Sequence, residues 1–365
     1  MPDDPKTDLE DAPAASPSGG SRLRDLAATL GVAALGGVVF RAAGAPAPWL
    51  VGPVIATSAA ALAGRARPLP PRLRDAVFVV LGASMGSAVT PDTIAGVLKW
   101  PGSMAALAVA VSAMIAVSYL ILRRGFGFDR ATAFYASPPG ALSATLALAA
   151  TTEADMSKVA TVQVFRVFVL VAAVPFSIQA TGAHGTGAGA LAVASLAATA
   201  LILAASAAGA ALWGLLRAPG GLMIGAFAAS ATLHAGGFVS GRLPDAIALP
   251  AFVGLGAIVG TRFSGLRLAD MLALVKPTVA SFAATAALGV GFAAGVGWAL
   301  DLPAAQVFVA FAPGGLEAMM LTAYLLGLDP TYVGAHHVAR YVALSFAVPV
   351  VARLIGAGVA RRPQS

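Results

Sequence analysis

The sequence predicts an all-α membrane protein with about ten transmembrane helices and two re-entrant Pro-Gly hairpins, arranged as two inverted repeats of about 174 residues. Three observations lead to this fold class: an apolar composition, an ungapped internal repeat, and the placement of arginine and lysine between the apolar segments. The composition indicates that the chain lies in a membrane. The repeat indicates the number of structural units, and the basic residues indicate the direction in which each unit crosses.

The composition is that of a membrane protein. Hydrophobic residues make up 58% of the chain and charged residues 11%, against roughly 45–50% and about 25% in a soluble domain. Charge-free runs such as Met104–Leu122 and Ala188–Leu212 reach or approach the ~20 residues that cross hydrocarbon. The net charge of +7 comes from basic residues placed singly or in pairs at segment ends, as in cytoplasmic loops. We therefore expect no nucleic-acid partner, since a nucleic-acid-binding face clusters its basic residues.

Short polar stretches flank the apolar region. Residues 1–24 carry five acidic and three basic residues and are rich in Pro, Gly and Ser, so we expect a disordered cytoplasmic tail. We expect residues 359–365 to form a second short cytoplasmic tail. The beginning of the chain does not resemble a signal peptide, which starts with a positively charged region. The first apolar stretch is better interpreted as a membrane helix that follows Arg22 and Arg24.

Residues 137–176 reappear, without a gap, as residues 311–350. The identical pairs include Pro139/Pro313, Gly140/Gly314, Leu142/Leu316, Asp155/Asp329, Arg166/Arg340 and Pro175/Pro349. Each copy has a helix-breaking Pro-Gly inside one apolar segment and an arginine inside the next. The sequence therefore predicts two membrane repeats, at 25–186 and 187–358, and interrupted helices in such repeats indicate a transporter's binding site.

Twelve apolar segments can be read along the chain, and the charges decide how many of them cross. The segments lie at about 26–43, 48–64, 75–91, 101–122, 129–152, 157–178, 188–216, 219–235, 246–264, 275–299, 302–326 and 332–356. If all twelve cross, 13 loop charges fall inside and 7 outside; if the two Pro-Gly segments fold back, 17 fall inside and 3 outside. The positive-inside rule favours the second arrangement, with both termini cytoplasmic.

The lengths of the hairpin arms agree with folding back. Residues 129–137 and 141–151 flank Pro138-Pro139-Gly140, which gives arms of about ten residues or ~15 Å. This is about half of a ~30 Å hydrocarbon core. Residues 302–312 and 315–326 flank Pro313-Gly314 in the same way. We therefore expect the two tips to meet near the middle of the membrane.

Each tip should attract an anion. Gly140 and Gly314 precede a new half-helix, whose first backbone N–H groups have no intrahelical acceptor. Together with the helix dipole, these groups favour a carboxylate. Pro139, Ser143, Pro313 and Gly315 complete the predicted substrate-binding tips. The alternative is that each Pro-Gly merely kinks a helix for packing.

Glu317 is the acidic side chain that lies deepest in an apolar stretch. A carboxylate in that position is costly unless it is paired, cation-bound or protonated, so it is a functional candidate. We expect it to be the coupling site for H⁺ or Na⁺. The alternative is an acid that caps the helix at a water-filled mouth. Ser143 occupies the equivalent position in the first repeat, so the two tips differ chemically.

Each repeat also offers a polar pair in the segment after its hairpin. Gln163 lies three residues before Arg166, and His337 lies three residues before Arg340, so each pair shares a helix face. The functional hypothesis is that the arginines clamp an anionic group of the solute or pair with Glu317, since a guanidinium suits carboxylates. The alternative is a structural salt bridge to Asp155, Asp329 or Glu317.

The remaining polar residues suggest no catalytic chemistry. The chain has no cysteine, and adjacent histidines such as His336 and His337 point about 100° apart on a helix, so no cofactor or metal is expected. Asp155 and Asp329 each follow a hairpin and are expected to cap the next helix.

Several of these motifs resemble those of the AbrB-type family of polytopic membrane proteins, which is distinct from the small DNA-binding proteins of the same name. The resemblance covers about residues 26–358 and rests on Trp49-Leu50-Val51-Gly52-Pro53, Pro138–Ser143, Arg166, Pro313–Met319 and Arg340. In other members the first hairpin often carries an acid where this chain has Ser143-Ala144. The resemblance implies a fold similar to that of the glutamate–sodium symporter group, an analogy that concerns the fold alone.

Members of the family are labelled as transporters, as regulators of gene expression or as ammonia monooxygenases. The residues of this chain favour some of these labels over others. A copper monooxygenase acting on ammonia needs a histidine cluster, and the four histidines are scattered. A direct regulator of gene expression needs a DNA-reading domain, for which the polar tail is too short. We therefore expect a non-enzymatic secondary transporter of a small organic anion, with a membrane sensor that regulates indirectly as the alternative. The expected partners are the solute, H⁺ or Na⁺ and the lipid of the inner (plasma) membrane; a homodimer is compatible with the sequence.

Overall fold

The computed structural model describes residues 19–89, 100–140, 142–180, 191–219 and 221–357, and the regular structure in these ranges is helical. The first half contains α1 (Gly19–Ala42), α2 (Pro48–Leu62), α3 (Pro71–Gly86), α4 (Trp100–Leu120), α5 (Arg130–Ala136), α6 (Leu142–Ala149) and α7 (Met156–Ala180). The second half contains α8 (Leu196–Leu215), α9 (Gly221–Ala235), α10 (Asp245–Gly260), α11 (Leu268–Leu300), α12 (Ala304–Phe311), α13 (Leu316–Leu325) and α14 (Pro330–Leu354).

Seven of the described helices are long and apolar enough to cross a membrane. They span Leu23–Ala42, Trp100–Gly125, Met156–Ala180, Leu196–Leu215, Asp245–Phe263, Leu268–Leu300 and Pro330–Leu354. Shorter apolar helices lie at Pro48–Leu62, Gly221–Ala235 and Leu316–Leu325. An all-α membrane protein, as the composition predicts, is the architecture that these helices form.

Several helix ends differ from the apolar segments because local capping decides them. Helix α8 begins at Leu196 rather than near residue 188, because the Ser195 side chain accepts a hydrogen bond from the Ala198 amide. Helix α3 begins at Pro71, since proline fits the first helical turn. Helix α1 begins at Gly19, so its first turns precede the apolar stretch. Residues 1–18 and 358–365, where most of the two predicted tails lie, are outside the described residues.

Helices α1–α3 of the first half interlock with α8–α10 of the second half, and we name these six the interlocked group. Within each half the first two helices meet backbone to backbone. A Cβ atom on Gly52 would lie 2.2 Å from the carbonyl oxygen of Gly36, and one on Gly225 would lie 2.4 Å from that of Gly209. Such close approach needs small residues, as in other membrane helix pairs.

The two halves of the interlocked group exchange partners. Helix α3 packs on α9, where a Cβ atom on Gly82 would lie 2.3 Å from the carbonyl oxygen of Met223. Helix α10 packs on α2, where a Cβ atom on Gly256 would lie 2.4 Å from Cβ of Pro53. Each half therefore covers a glycine-bearing face of the other half.

The remaining eight helices form a second group, which we name the hairpin group. Helices α4, α7, α11 and α14 are long, whereas α5–α6 and α12–α13 are two pairs of short arms, named hairpin 1 and hairpin 2. Each hairpin packs on the long helix that follows it, α7 or α14. The second arm of each hairpin also reaches the long helix of the other half, because α6 contacts α14 and α13 contacts α7.

Candidate functional site

The arms of both hairpins are too short to cross a membrane. Arms α5 and α6 have 7 and 8 residues, and arms α12 and α13 have 8 and 10. At about 1.5 Å per residue each arm is roughly 10–15 Å long, which is at most half of a ~30 Å hydrocarbon core. The arms are thus somewhat shorter than the sequence predicts, because the helices also stop short at the outer ends of the hairpins, where Asp129 and Pro303 precede α5 and α12 as N-cap residues.

The two ends of hairpin 1 lie close together. The Asp129 side chain accepts a hydrogen bond of 2.8 Å from the Thr132 amide and so caps α5. The Thr132 hydroxyl in turn accepts a hydrogen bond of 2.8 Å from the backbone amide of Asp155, just after the second arm. The beginning of one arm and the segment after the other are therefore neighbours.

The start of hairpin 1 and the end of hairpin 2 lie at opposite ends of α14. At the start of hairpin 1, the Arg130 guanidinium donates a hydrogen bond of 3.0 Å to the carbonyl of Ile355, the first residue after α14. At the other end of α14, Asp329 follows hairpin 2 and accepts hydrogen bonds from the Thr331 and Tyr332 amides at 2.8 and 3.3 Å. Asp329 thus caps α14, as predicted.

Arg166 and Arg340, at equivalent positions on α7 and α14, bind the tips of the hairpins. Arg166 donates to the carbonyl oxygens of Ser137 and Pro138 at 3.1 and 2.8 Å. Arg340 donates to those of Ala312 and Gly314 at 2.8 and 2.7 Å. These carbonyls follow the carboxyl ends of α5 and α12, where a cation is favourable. Each arginine therefore fixes the tip of the hairpin in its own half.

Gln163 and His337 perform the same task in the two halves. The Gln163 amide nitrogen donates to the carbonyl of Tyr135 at 2.8 Å, and its oxygen accepts from Arg166 at 2.9 Å. His337 Nε2 lies 3.1 Å from the Val309 carbonyl oxygen, and its Nδ1 lies 2.6 Å from Nη2 of Arg340. A carbonyl can only accept and a guanidinium can only donate. His337 is therefore the neutral tautomer with its proton on Nε2, which offers the same donor and acceptor as glutamine.

The tip of hairpin 1 also touches the arginine of the other half. Gly140 has φ +85°, a conformation that favours glycine, and a Cβ atom placed on it would lie 2.8 Å from Nε of Arg340. Arg340 thus contacts both tips, since it also binds the Gly314 carbonyl. The tips predicted to meet are in contact through this one side chain.

The alternative in which Arg166 or Arg340 forms a salt bridge with Asp155, Asp329 or Glu317 is not seen among the ion pairs of the described residues. Arg166 and Arg340 are each 3% exposed, and no described carboxylate lies within ion-pairing distance of either. The ion pairs of the described ranges are Arg74–Asp75, Lys158–Asp155 and Arg242–Asp245. Moreover, the buried Nε–H groups of both arginines have no hydrogen-bond partner there. Two buried cations therefore lie at the tips with peptide carbonyls as their main compensation.

The local charge balance favours an anion. The carboxyl ends of α5 and α12 and the amino ends of α6 and α13 point to the same region and contribute about half a charge each, with opposite signs, so they offset one another. Two guanidinium groups then remain against the single carboxylate of Glu317. A net positive, desolvated site is where a carboxylate would be most strongly held.

Glu317 lies in the first turn of α13, where its carboxylate is 3.7 Å from the position of a Cβ atom on Gly315. It is half-buried and lines a cavity of about 580 Å³. The cavity is lined by Pro68, Leu69, Arg74, Asp75, Phe78, Gly221, Leu222, Ile258, Thr261, Arg262 and Glu317. One tip is therefore reached from a cavity whose wall carries Arg74 and Arg262.

The structure brings the predicted site residues together apart from one side chain. Pro139, Gly140, Pro313, Gly314 and Gly315 form the two tips, and the four polar residues on α7 and α14 hold these tips. The side chain of Ser143, predicted to complete the first tip, lies outside the described residues. The tip prolines carry no N–H and so cannot donate where the chain turns.

Sequence reasoning missed a polar cluster between α4 and α14. His336 Nε2 lies 2.8 Å from Oγ of Ser103, and that hydroxyl is also hydrogen-bonded with the hydroxyl of Tyr332. All three side chains are fully buried. Ser103 is more than two hundred residues from its partners, so no local pattern could reveal the contact; the adjacency of His336 to His337 was the only signal.

The chain resembles known proteins over most of its length. Residues 49–356 match the model of a family described as "Transition state regulatory protein AbrB". A protein of Escherichia coli (strain K12) named "Putative regulator AbrB" is 27% identical over 329 residues, which cover 88% of this chain and 94% of that protein. The residues matched by the family model span both hairpins and both arginines.

Proposed function

The chain belongs to the AbrB family, and from the geometry of its hairpin tips we propose that it is a secondary transporter. It carries a small organic anion across the membrane by alternating access, coupled to H⁺ or Na⁺. The observation that supports this most strongly is the meeting of two hairpin tips at Arg340, in a region that holds two buried cations without a paired acid. Broken backbone inside a membrane is tolerated where it lines a cavity or is buried in protein.

The proposed topology has ten crossings and two re-entrant hairpins. The seven long helices cross together with α2, α3 and α9, whose 15 or 16 residues make short spans. The cavity beside Glu317 supports this count, because Leu69, Leu222 and Thr261 line it together. If both hairpin segments crossed, Leu69 and Leu222 would belong to opposite faces. The halves are then inverted repeats, with the arginine-rich loops and both termini in the cytoplasm of the inner (plasma) membrane.

The site residues have distinct roles in this proposal. The first-turn N–H groups of α6 and α13 and the free Nε–H groups of the arginines bind the carboxylate of the solute. Gln163 and His337 hold the guanidinium groups in place. Glu317, on the cavity side, opposes the anion while it is ionised, so H⁺ or Na⁺ bound there favours solute binding.

A membrane sensor that binds the same solute without moving it is the second candidate, because the bacterial relative is named a regulator. Counter-flow in proteoliposomes separates the two. Vesicles preloaded with unlabelled lactate, succinate or glutamate would be diluted into the labelled compound. A transporter accumulates label transiently, whereas a sensor stays at the level of empty vesicles.

The choice of compound can be made beforehand with purified protein. A thermal-shift screen over small carboxylates and amino acids, with and without sodium, identifies which of them stabilises the fold. An Arg340→Gln variant should lose this stabilisation. Arg74→Gln, in which the changed residue lies in the cavity wall, should retain most of it. Equal stabilisation of both variants would exclude the tips as the binding site.

A further inference from the structure

The hydrogen bonds around His336 define the position of every proton in the cluster with Ser103 and Tyr332. His336 Nδ1 lies 2.8 Å from the carbonyl oxygen of Tyr332, so Nδ1 carries the proton. His336 Nε2 then accepts from the Ser103 hydroxyl at 2.8 Å. The Ser103 oxygen in turn accepts from the hydroxyl of Tyr332. The result is a directed chain from Tyr332 through Ser103 to a neutral imidazole.

This chain can take up a proton without moving any heavy atom. A proton that reaches the Tyr332 oxygen displaces the tyrosine proton to Ser103, and the serine proton passes to His336 Nε2. Both hydroxyls end neutral, the direction of the chain is reversed, and the imidazole carries one positive charge. His337 cannot do this, because its Nδ1 accepts a hydrogen bond from Arg340 and would have to release the guanidinium first.

His336 is also placed to sense an anion at the tips. It lies one helical turn before Arg340 on the same face of α14, and its ring packs 6.2 Å from the ring of Phe311 at the end of α12. A positive charge on the His336 imidazole and the charge of the Arg340 guanidinium, one helical turn apart, oppose each other. An anion beside Arg340 offsets that charge and favours the imidazolium, and by linkage the imidazolium favours the anion to the same extent.

Few other ionisable groups act on His336. Helices α4, α6 and α12, which pack on α14, carry no Asp, Glu, Lys, Arg or His. Helix α13 contributes Glu317 in its first turn and Tyr324 near its end. On α14 itself the nearby groups are Asp329, Tyr332, His337 and Arg340. The first half has no such chain, since Lys158 and Val162 stand where the second half has Tyr332 and His336.

We propose that His336, relayed by Ser103 and Tyr332, is a proton-binding site distinct from Glu317, and that the proton bound there crosses together with the anion. The proposal rests on the transport function and adds the ion and the residue that carries it. Both His336 and Tyr332 are fully buried in this conformation. The proton can therefore exchange with water only in another conformation of the transporter, in which the site is open to one side of the membrane.

The experiment compares two transport modes in proteoliposomes, with labelled lactate, succinate and glutamate as probes. Counter-flow needs no net movement of protons, whereas accumulation driven by an imposed pH gradient does. His336→Gln keeps one donor and one acceptor but cannot carry the charge. We expect it to retain counter-flow within about twofold at saturating concentrations of the probe, where a weaker affinity for the anion has no effect, and to lose gradient-driven accumulation by at least about tenfold. His234→Gln, at a histidine at the end of α9 in the interlocked group, should behave as the unchanged protein in both modes.

Tyr332→Phe provides a second variant, since it removes the outer hydroxyl and leaves the ring. It should slow gradient-driven uptake and keep counter-flow, even if His336→Gln does not fold. The proposal is overturned if His336→Gln accumulates the probe along a pH gradient as well as the unchanged protein does. It is also overturned if only sodium drives the unchanged protein. Absence of counter-flow in the unchanged protein would instead contradict the transport function itself.

Discussion

Gly140 of the first half lies against the guanidinium of Arg340 in the second half, so close that a Cβ atom on the glycine would lie 2.8 Å from Nε and Nη2. The same guanidinium binds the tip of hairpin 2 through the Gly314 carbonyl. This one contact joins the two halves at the point where both hairpins turn back. Four predictions follow from this contact and its surroundings.

Replacing Gly140 with alanine should separate the tips. Its φ of +85° disfavours any side chain and the methyl group would overlap Arg340, so we expect a loss of about 1–3 kcal/mol in stability together with the loss of solute binding. Thermal unfolding in detergent measures the first and thermal shift the second. Gly295→Ala is the matched control: a Cβ atom on Gly295 meets nothing within 4 Å, and alanine favours its helix by up to about 1 kcal/mol. Equal losses in both variants would contradict the proposed contact.

His337→Gln should be tolerated because Gln163 already performs this task in the first half with the same pair of hydrogen bonds. We expect its unfolding temperature to stay close to that of the unchanged protein. His337→Leu leaves the Val309 carbonyl and one Arg340 N–H without partners and should cost about 1–3 kcal/mol. If both variants are destabilised equally, the two halves do not use equivalent hydrogen bonds.

Glu317→Gln should strengthen binding of the anion at neutral pH. The amide keeps the size of the side chain and removes the charge that opposes the solute, and Coulomb repulsion near a protein surface is of the order of a few kcal/mol. Isothermal titration with the compound selected by thermal shift measures this, and the affinity of the variant should no longer depend on sodium. Weaker binding, or a sodium dependence that persists, would exclude Glu317 as the coupling residue.

Asp329→Asn should leave the fold at least as stable at neutral pH as the aspartate does. Burial raises the pKa of the Asp329 carboxyl above its ordinary value, although its hydrogen bonds with the Thr331 and Tyr332 amides oppose this. Ionisation is thus costlier in the folded state, so the stability from the protonated acid is complete below about pH 4 and is lost as the pH rises through the raised pKa.

Asparagine caps the helix without this loss, whereas Asp329→Ala should cost about 1 kcal/mol at neutral pH. Unfolding temperatures of the three proteins between pH 4 and pH 8 would show it. A destabilisation by asparagine as large as that by alanine would mean that the negative charge itself holds the end of α14.

The sequence alone was sufficient to predict which polar side chains of α7 and of α14 act together. The spacing of Gln163 and Arg166, repeated by His337 and Arg340, predicts that each pair acts together, and each pair does share a hydrogen bond. The partners of the arginines could not be predicted. Charge arguments favour an acid as the partner of an arginine in a membrane, but a carbonyl at the end of an arm carries no signal in a sequence.

Contacts between segments that lie far apart in the chain could not be predicted from the sequence either. Ser103 hydrogen-bonds with His336 because α4 packs on α14, and nothing near Ser103 indicates which helix will cover it. The predicted boundaries of the hairpin arms were wrong for a local reason. The apolar pattern continues through Pro138 and Ala312, whereas the helices stop at Ala136 and Phe311.

The exchanged partners of the interlocked group have a consequence for biogenesis. Helix α3 rests on α9 through Gly82, and α2 rests on α10 through Gly256. While the ribosome is still making the second half, the faces of α2 and α3 that these contacts cover still lack their partner helices. This part of the packing is therefore completed only after α9 and α10 have been inserted.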